Sequence, residues 1–179
     1  MIKPSISTLL KEIYNFPQNK YIGRIDMLKI ALFQPDIPQN VGAMIRLAAC
    51  TGVELDIIEP CGFPWNDRKI KQSAMDYLEH VDITRHACWE EFKAHNEGRR
   101  IILMTTKTED SYTNFTFNDG DILLAGQEST GAPEHIHAQC HARLTIPMFS
   151  NMRSLNIVNA TSIEKHITAD FKLDFEYTV

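Results

Sequence analysis

The sequence predicts an α/β fold, a mostly parallel sheet with helices on both faces, and three observations predict it. Apolar runs of strand length alternate with stretches of helical periodicity from residue 28 to about residue 160, the pattern of consecutive βαβ units. The runs at 28–33, 100–105 and 121–125 carry apolar residues at odd and even positions alike, as strands covered on both sides do. Prolines and glycines punctuate the joins, among them Pro35, Pro38, Gly52, Pro60, Gly126, Gly131 and Pro133.

Taken in order, 28–33 reads as a strand that ends at Pro35. The loop 35–40 holds two prolines and Asn40, a residue able to cap a helix. Residues 41–51 follow as that helix, with Gly52 placed as its stop. A strand at 53–58, a helix at 67–74, a weak strand at 77–83 and a helix at 88–96 come next. Strong strands at 100–105 and 121–125 precede a glycine-rich loop, and a further strand ends at Pro147. Ser154 is the expected N-cap of a last helix. Residues 1–27 read as a separate extension: Ile6, Leu9, Leu10 and Ile13 have helical spacing, and Pro17 ends it. The domain is expected at 28–163, followed by a divergent tail at 164–179.

A chain of 179 residues, 44% hydrophobic and 23% charged, suits one compact domain. It holds no apolar run long enough to span a bilayer and no secretory pattern, so a cytoplasmic protein without a membrane partner is expected. Cys50, Cys61, Cys88 and Cys140 are far apart and form no C-x-x-C pair, which predicts buried free thiols in a reducing compartment. A net charge of −5 opposes nucleic-acid binding overall. The basic residues are nevertheless grouped, at Arg68-Lys69-x-Lys71 and at Arg99-Arg100, with Arg46 and Arg153 single.

Sheets of this kind bind ligands outside the carboxyl ends of their strands, which places the site in the loops after Phe33, Ile58, Thr105, Ala125 and Ile146. Asn40 and Arg46 lie less than two helical turns apart and are expected to serve one cleft. In Gly126-Gln127-Glu128-Ser129-Thr130-Gly131 the glycines allow close approach of the backbone to a ligand. Neither nucleotide-phosphate fingerprint is present, and Glu128 would repel a phosphate. The cluster His135, His137, His141 suggests a metal at first sight, with His137 and His141 one turn apart on one face of a helix, but no carboxylate or third ligand stands at a recognised zinc spacing, so surface histidines and no metal are expected.

Pro38-x-Asn40-x-Gly42-x-x-x-Arg46, Leu123-x-x-Gly126-x-Glu128-x-x-Gly131 and Ile146-Pro147-Met148, followed by Ser154-Leu155-Asn156, resemble in order and spacing the three motifs of the SPOUT-class RNA ribose 2′-O-methyltransferases. The resemblance covers about residues 28–163. Four further segments are similar to the subgroup that modifies the wobble nucleotide of tRNA: Ile57-Ile58-Glu59-Pro60-x-Gly62-Phe63, Asp76-Tyr77, Thr105-Thr106-Lys107 and Gly120-Asp121.

The resemblance implies a C-terminal trefoil knot, a homodimer, and S-adenosylmethionine as cofactor, held at Met104, Gly126, Gly131, Ile146, Ser154 and Leu155. It implies Arg46 and Asn40 as catalytic residues, and Glu128, Asn156 and Arg153 on the substrate side, with a tRNA anticodon stem-loop rather than DNA as partner. Methylation of another tRNA or rRNA site, or a non-catalytic RNA-binding module of the same fold, is the alternative. An oxidoreductase lacks its dinucleotide fingerprint here. Gln127 stands where the family usually has proline, and the chain departs further after Ala160, where a short or replaced closing helix is expected.

Overall fold

The computed structural model describes residues 28–65, 70, 72, 74–149, 152 and 154–168. Strands β1 (Leu28–Phe33), β2 (Leu55–Ile58), β3 (Ile83–His86), β4 (Ile101–Met104), β5 (Asp121–Ala125) and β6 (Ala142–Leu144) form one sheet in the order β3-β2-β1-β5-β4-β6. All five pairings are parallel. Helix α1 (Pro38–Thr51) follows β1, α2 (Trp89–His95) follows β3, the single turn α3 (Glu134–His137) follows β5, and α4 (Ile157–Thr168) follows β6.

Alternate residues of β1 feed two cores. Ile30 and Leu32 pack with Met44, Ile45 and Ala48 of α1 and with Ile157 and Val158 of α4. Ala31 and Phe33 face the other way, onto Trp89 and Phe92 of α2 and Ile136 of α3. A third cluster joins Leu123 and Ile102 to Tyr112, Phe115 and Phe117, so the long β4–β5 connection supplies its own cover.

Helix α1 begins earlier than the sequence pattern suggests. Pro38 takes an early position, where its missing N–H costs nothing, and Ile37 is the residue before the helix. Asn40 therefore lies inside the first turn and is not the cap. The other end is as expected: Gly52 adopts φ 64° and its N–H reaches back to Ala48 and Ala49. The weak strand expected at 77–83 is instead a 3-10 turn, Met75–His80, and the strand starts only at Ile83. Of the helix expected at 67–74, only residues 70, 72 and 74 are described, all helical.

Lys29 departs from the apolar pattern of β1, and its environment explains why. The ammonium lies 2.9 Å from Asp56 and 3.2 Å from Glu54, and Asn96 donates to Asp56 at 3.0 Å. His86 Nε2 stands 3.2 Å from the other Asp56 oxygen. A carboxylate with no exposure is tolerable only with such partners.

One further expectation changes. Cys50 and Cys88 are exposed and Cys61 and Cys140 half-buried, so the thiols are free but not buried. Burial still pushes Cys61 up to about 11 and Cys140 up to about 12. Arg100 grips the buried Asp121 with two hydrogen bonds, at 2.8 and 2.6 Å, and lies over Phe115. No helix among the described residues is long and apolar enough to cross a membrane.

Helix α4 is present rather than replaced, running 12 residues to Thr168. The extension at 1–27, the alternating tail from 169, and Arg68, Lys69, Lys71 and Arg153 lie outside the described residues.

Candidate active site

The connections after β1 and β5 leave neighbouring strands on opposite faces of the sheet, α1 toward one core and α3 toward the other. A crevice opens where connections diverge in this way, at the carboxyl edge. It holds a cavity of about 490 Å³, within the size range of small-molecule sites. Asn40 enters from α1, Met104 and Lys107 from the end of β4, Gly126, Glu128 and Gly131 from the loop after β5, and Ile146 from beyond β6. Ser154, Leu155 and Asn156 close it as the chain returns into α4. The loop after Ile58, expected here, does not line it.

Arg46 does not line it either. Six residues on from Asn40, it projects roughly 120° around the helix axis. It is exposed, with its guanidinium 5.5 Å from the Tyr77 ring. The expectation that Asn40 and Arg46 serve one cleft of a single chain fails on that geometry.

The two glycines have different reasons to be glycine. Gly131 has φ +71°, a left-handed conformation that side chains disfavour. At Gly126 a Cβ would meet the backbone N of Ala132 at 2.5 Å and the Gly131 carbonyl carbon at 2.7 Å. The close approach is thus between two parts of one loop, which the Gly131 N–H ties to the Gln127 carbonyl at 2.9 Å.

A relay of polar side chains joins the three motifs. Glu128 Oε1 accepts from Asn40 Nδ2 at 3.0 Å. Asn40 Oδ1 accepts from Asn156 Nδ2 at 3.1 Å. Asn156 Oδ1 accepts from the Val158 N–H at 2.9 Å and the Asn159 N–H at 3.4 Å. Asn156, not Ser154, is therefore the cap of α4, because Oδ1 reaches the first free amides of the helix. Asp36 joins the relay through Glu128 and was not visible as a site residue in the sequence. A carboxylate between two prolines shows no partner until the loop after β5 is placed beside it.

Burial raises the Glu128 carboxyl above its ordinary range, and the neighbouring Asp36 adds to this. The hydrogen bond from Glu128 lowers Asp36 in turn.

His137 and His141 do not lie on one helix. Helix α3 ends at His137, so His141 shares no face with it, and His141 Nδ1 accepts from the Ile101 N–H at 3.0 Å. His137 is buried and not a surface residue, because α3 packs it against the domain. No group of three or more suitable side chains occurs among the described residues.

Fold and cavity together define a parallel α/β protein with a cavity at the carboxyl edge of a central strand pair. The SpoU rRNA Methylase family matches residues 27–165, and the chain belongs to that family. A relative from Beijerinckia indica, named tRNA (cytidine(34)-2′-O)-methyltransferase, is 51% identical over 136 residues, covering 75% of this chain and 85% of the relative. An Escherichia coli K12 protein of the same name is 39% identical over 139 residues, 76% of this chain and 88% of its own. A solved structure described as "Structural insights into the 2-OH methylation of C/U34 on tRNA" superposes with TM-score 0.76 at 36% identity, covering 80% of this chain and 95% of that one. The Streptomyces viridochromogenes SpoU methyltransferase AviRb in complex with AdoMet shares the fold, with TM-score 0.70 at 21% identity over 85% of this chain and 63% of that one.

Proposed function

We propose that this chain transfers a methyl group from S-adenosylmethionine to the ribose 2′-OH of the wobble nucleotide, position 34, of tRNA. The observation that carries this reading is the convergence of three separate motifs on one cavity at the carboxyl edge. The relatives' names supply the substrate.

The cavity suits the cofactor. Its lining mixes the apolar Met104, Ile146 and Leu155 with hydroxyls and backbone groups, and Glu128 supplies a carboxyl, which a sulfonium tolerates and a phosphate does not. Met104, Gly126, Gly131, Ile146, Ser154 and Leu155 would hold S-adenosylmethionine, whose bound form supplies an electrophilic methyl group. The ribose hydroxyl is a weak nucleophile and must lose its proton. Arginine is a poor base at a pKa above about 12, so Arg46 acts by stabilising the developing alkoxide or by holding a nearby phosphate. Asn40, Asn156, Glu128 and Arg153 shape the substrate side.

Arg46 points away from its own cavity, which supports a homodimer in which it serves the partner's site. The exposed Ile37, Leu155 and Ile163 supply apolar surface for such an interface. The return of residues 154–156 to the cavity, with α4 packed on α1, supports a knotted C-terminus. The cytoplasm, where tRNA is modified, is the compartment.

Unmodified tRNA transcripts incubated with the protein and labelled S-adenosylmethionine should gain one 2′-O-methyl group at position 34. Arg46→Ala should abolish that transfer with little change in cofactor affinity. Absence of cofactor binding by the native protein would overturn the assignment, and methylation mapped to another nucleotide would correct the substrate.

A further inference from the structure

Asp36 does not line the cavity, yet four hydrogen bonds join it to the loop after β5. Its Oδ1 accepts from the Glu128 N–H at 3.2 Å and its Oδ2 from the Ser129 N–H at 3.3 Å. The Ser129 hydroxyl also donates to Oδ2, and the Asp36 N–H donates to Glu128 Oε2 at 3.0 Å. A third loop backs this clamp. The Gly62 N–H donates to the Pro35 carbonyl at 2.9 Å, and a Cβ on Gly62 would stand 2.6 Å from Asp36 Cβ.

The clamp has a direction. An ionised carboxylate only accepts, so both Asp36 oxygens must face donors, and the loop carrying Glu128 is held in one register. Glu128 Oε1 then takes the Asn40 amide nitrogen, which leaves Asn40 Oδ1 to take the Asn156 amide nitrogen. A side-chain amide has two orientations of nearly equal size, and this order selects one for each. The lowered Asp36 carboxyl and raised Glu128 carboxyl agree with it, since the acceptor-only end of the relay is Asp36.

We propose that Asp36 is a positioning residue for methyl transfer, fixing Glu128 and, through it, the single orientation in which Asn40 and Asn156 face the bound nucleoside. The proposal rests on the methyltransferase reading of the cavity. Misplacement by about an ångström can cost about 100-fold in rate.

Asp36→Asn puts a donor among donors. It should lower kcat at least ~30-fold, with the tRNA KM and the S-adenosylmethionine affinity held within about 3-fold. Asp36→Glu, which keeps the charge, should recover part of the loss. The double variant Asp36→Asn/Glu128→Gln should lose no more than Glu128→Gln alone, because the effect runs through Glu128. Without cofactor or RNA, NMR of the side-chain amides should show Asn40 and Asn156 Nδ2 protons exchanging roughly ten times faster in Asp36→Asn than in the native protein.

Additive losses in the double variant, unchanged amide exchange, or parallel loss of kcat and cofactor affinity would each overturn the proposal. If Asp36→Asn does not fold, Ser129→Ala removes only the hydroxyl donor to Oδ2, keeps the N–H donor, and should lower kcat a few-fold, and unchanged turnover would overturn it equally. If the native protein methylates no tRNA, the reaction assigned to the cavity falls, while the amide exchange still decides whether Asp36 orients the relay.

Discussion

Gly126→Ala isolates the reason for the glycine in the second motif. The added Cβ would lie 2.5 Å from the Ala132 nitrogen, where ordinary contact begins at 3.4 Å, so the loop must open by about 0.9 Å. The obstructing atoms are backbone, and Ala132 is anchored in the core beside Ile136, so no flexible side chain can absorb the shift. Overpacking of this kind costs roughly 1–3 kcal/mol. For a chain of this length each kcal/mol moves the melting temperature by about 2–4 °C, which predicts a fall of roughly 2–12 °C. Calorimetric titration should show S-adenosylmethionine binding weakened in parallel, because opening the loop reshapes the cavity wall. Gly131 is the control: no atom lies within 4 Å of a Cβ there, and only its φ of +71° opposes substitution. Asparagine tolerates that conformation, so Gly131→Asn should keep most of the stability and Gly126→Asn should not. A Gly126→Ala protein that melts within about 1 °C of the native one, with unchanged affinity, would refute the steric argument.

Three more outcomes follow from the geometry. Asn156→Ala removes the α4 cap and the last link of the relay, and should cost about 1 kcal/mol in denaturant unfolding, with a larger fractional loss of turnover than of stability. Glu128 is raised in the fold, so its favourable contribution is present below its ordinary value of 4.5 and is lost as pH rises through the folded value. Asp36, lowered from 3.8, contributes above that value and loses its contribution as pH falls through the folded one. Glu128→Gln should therefore gain stability relative to the native protein as pH rises past 4.5 and level off beyond, and a difference of opposite slope would refute the assignment. Iodoacetamide at about pH 8 should label the exposed Cys50 and Cys88 well before Cys61 and Cys140, as peptide mapping can show.

Much of the architecture was legible because burial on both faces leaves a plain signature. The bounds of β1 and β5 follow from apolar residues on both faces, with Lys29 and Asp121 the exceptions, and the end of α1 from Gly52. The weak strand at 77–83 was misread because a 3-10 turn with Tyr77 and Leu78 half-buried mimics an apolar run. The cap of α4 was misplaced because Ser154 and Asn156 are both good cap residues, and only the hydrogen bonds of Asn156 distinguish them. His137 looked like a surface residue because its helix is too short to show a periodic face.

The sequence by itself determined the parallel α/β class, the family, and three loops that line the cavity, since periodicity and motif spacing are local properties of the chain. The tertiary structure alone decided how those loops meet. Asn40, Glu128 and Asn156 are separated by 88 and 116 residues along the chain, and their order of donors and acceptors exists only once β1 and β5 pair. It likewise moved Arg46 out of its own cavity and brought Asp36 beside it, because the direction of a side chain from a helix or turn depends on what the element packs against.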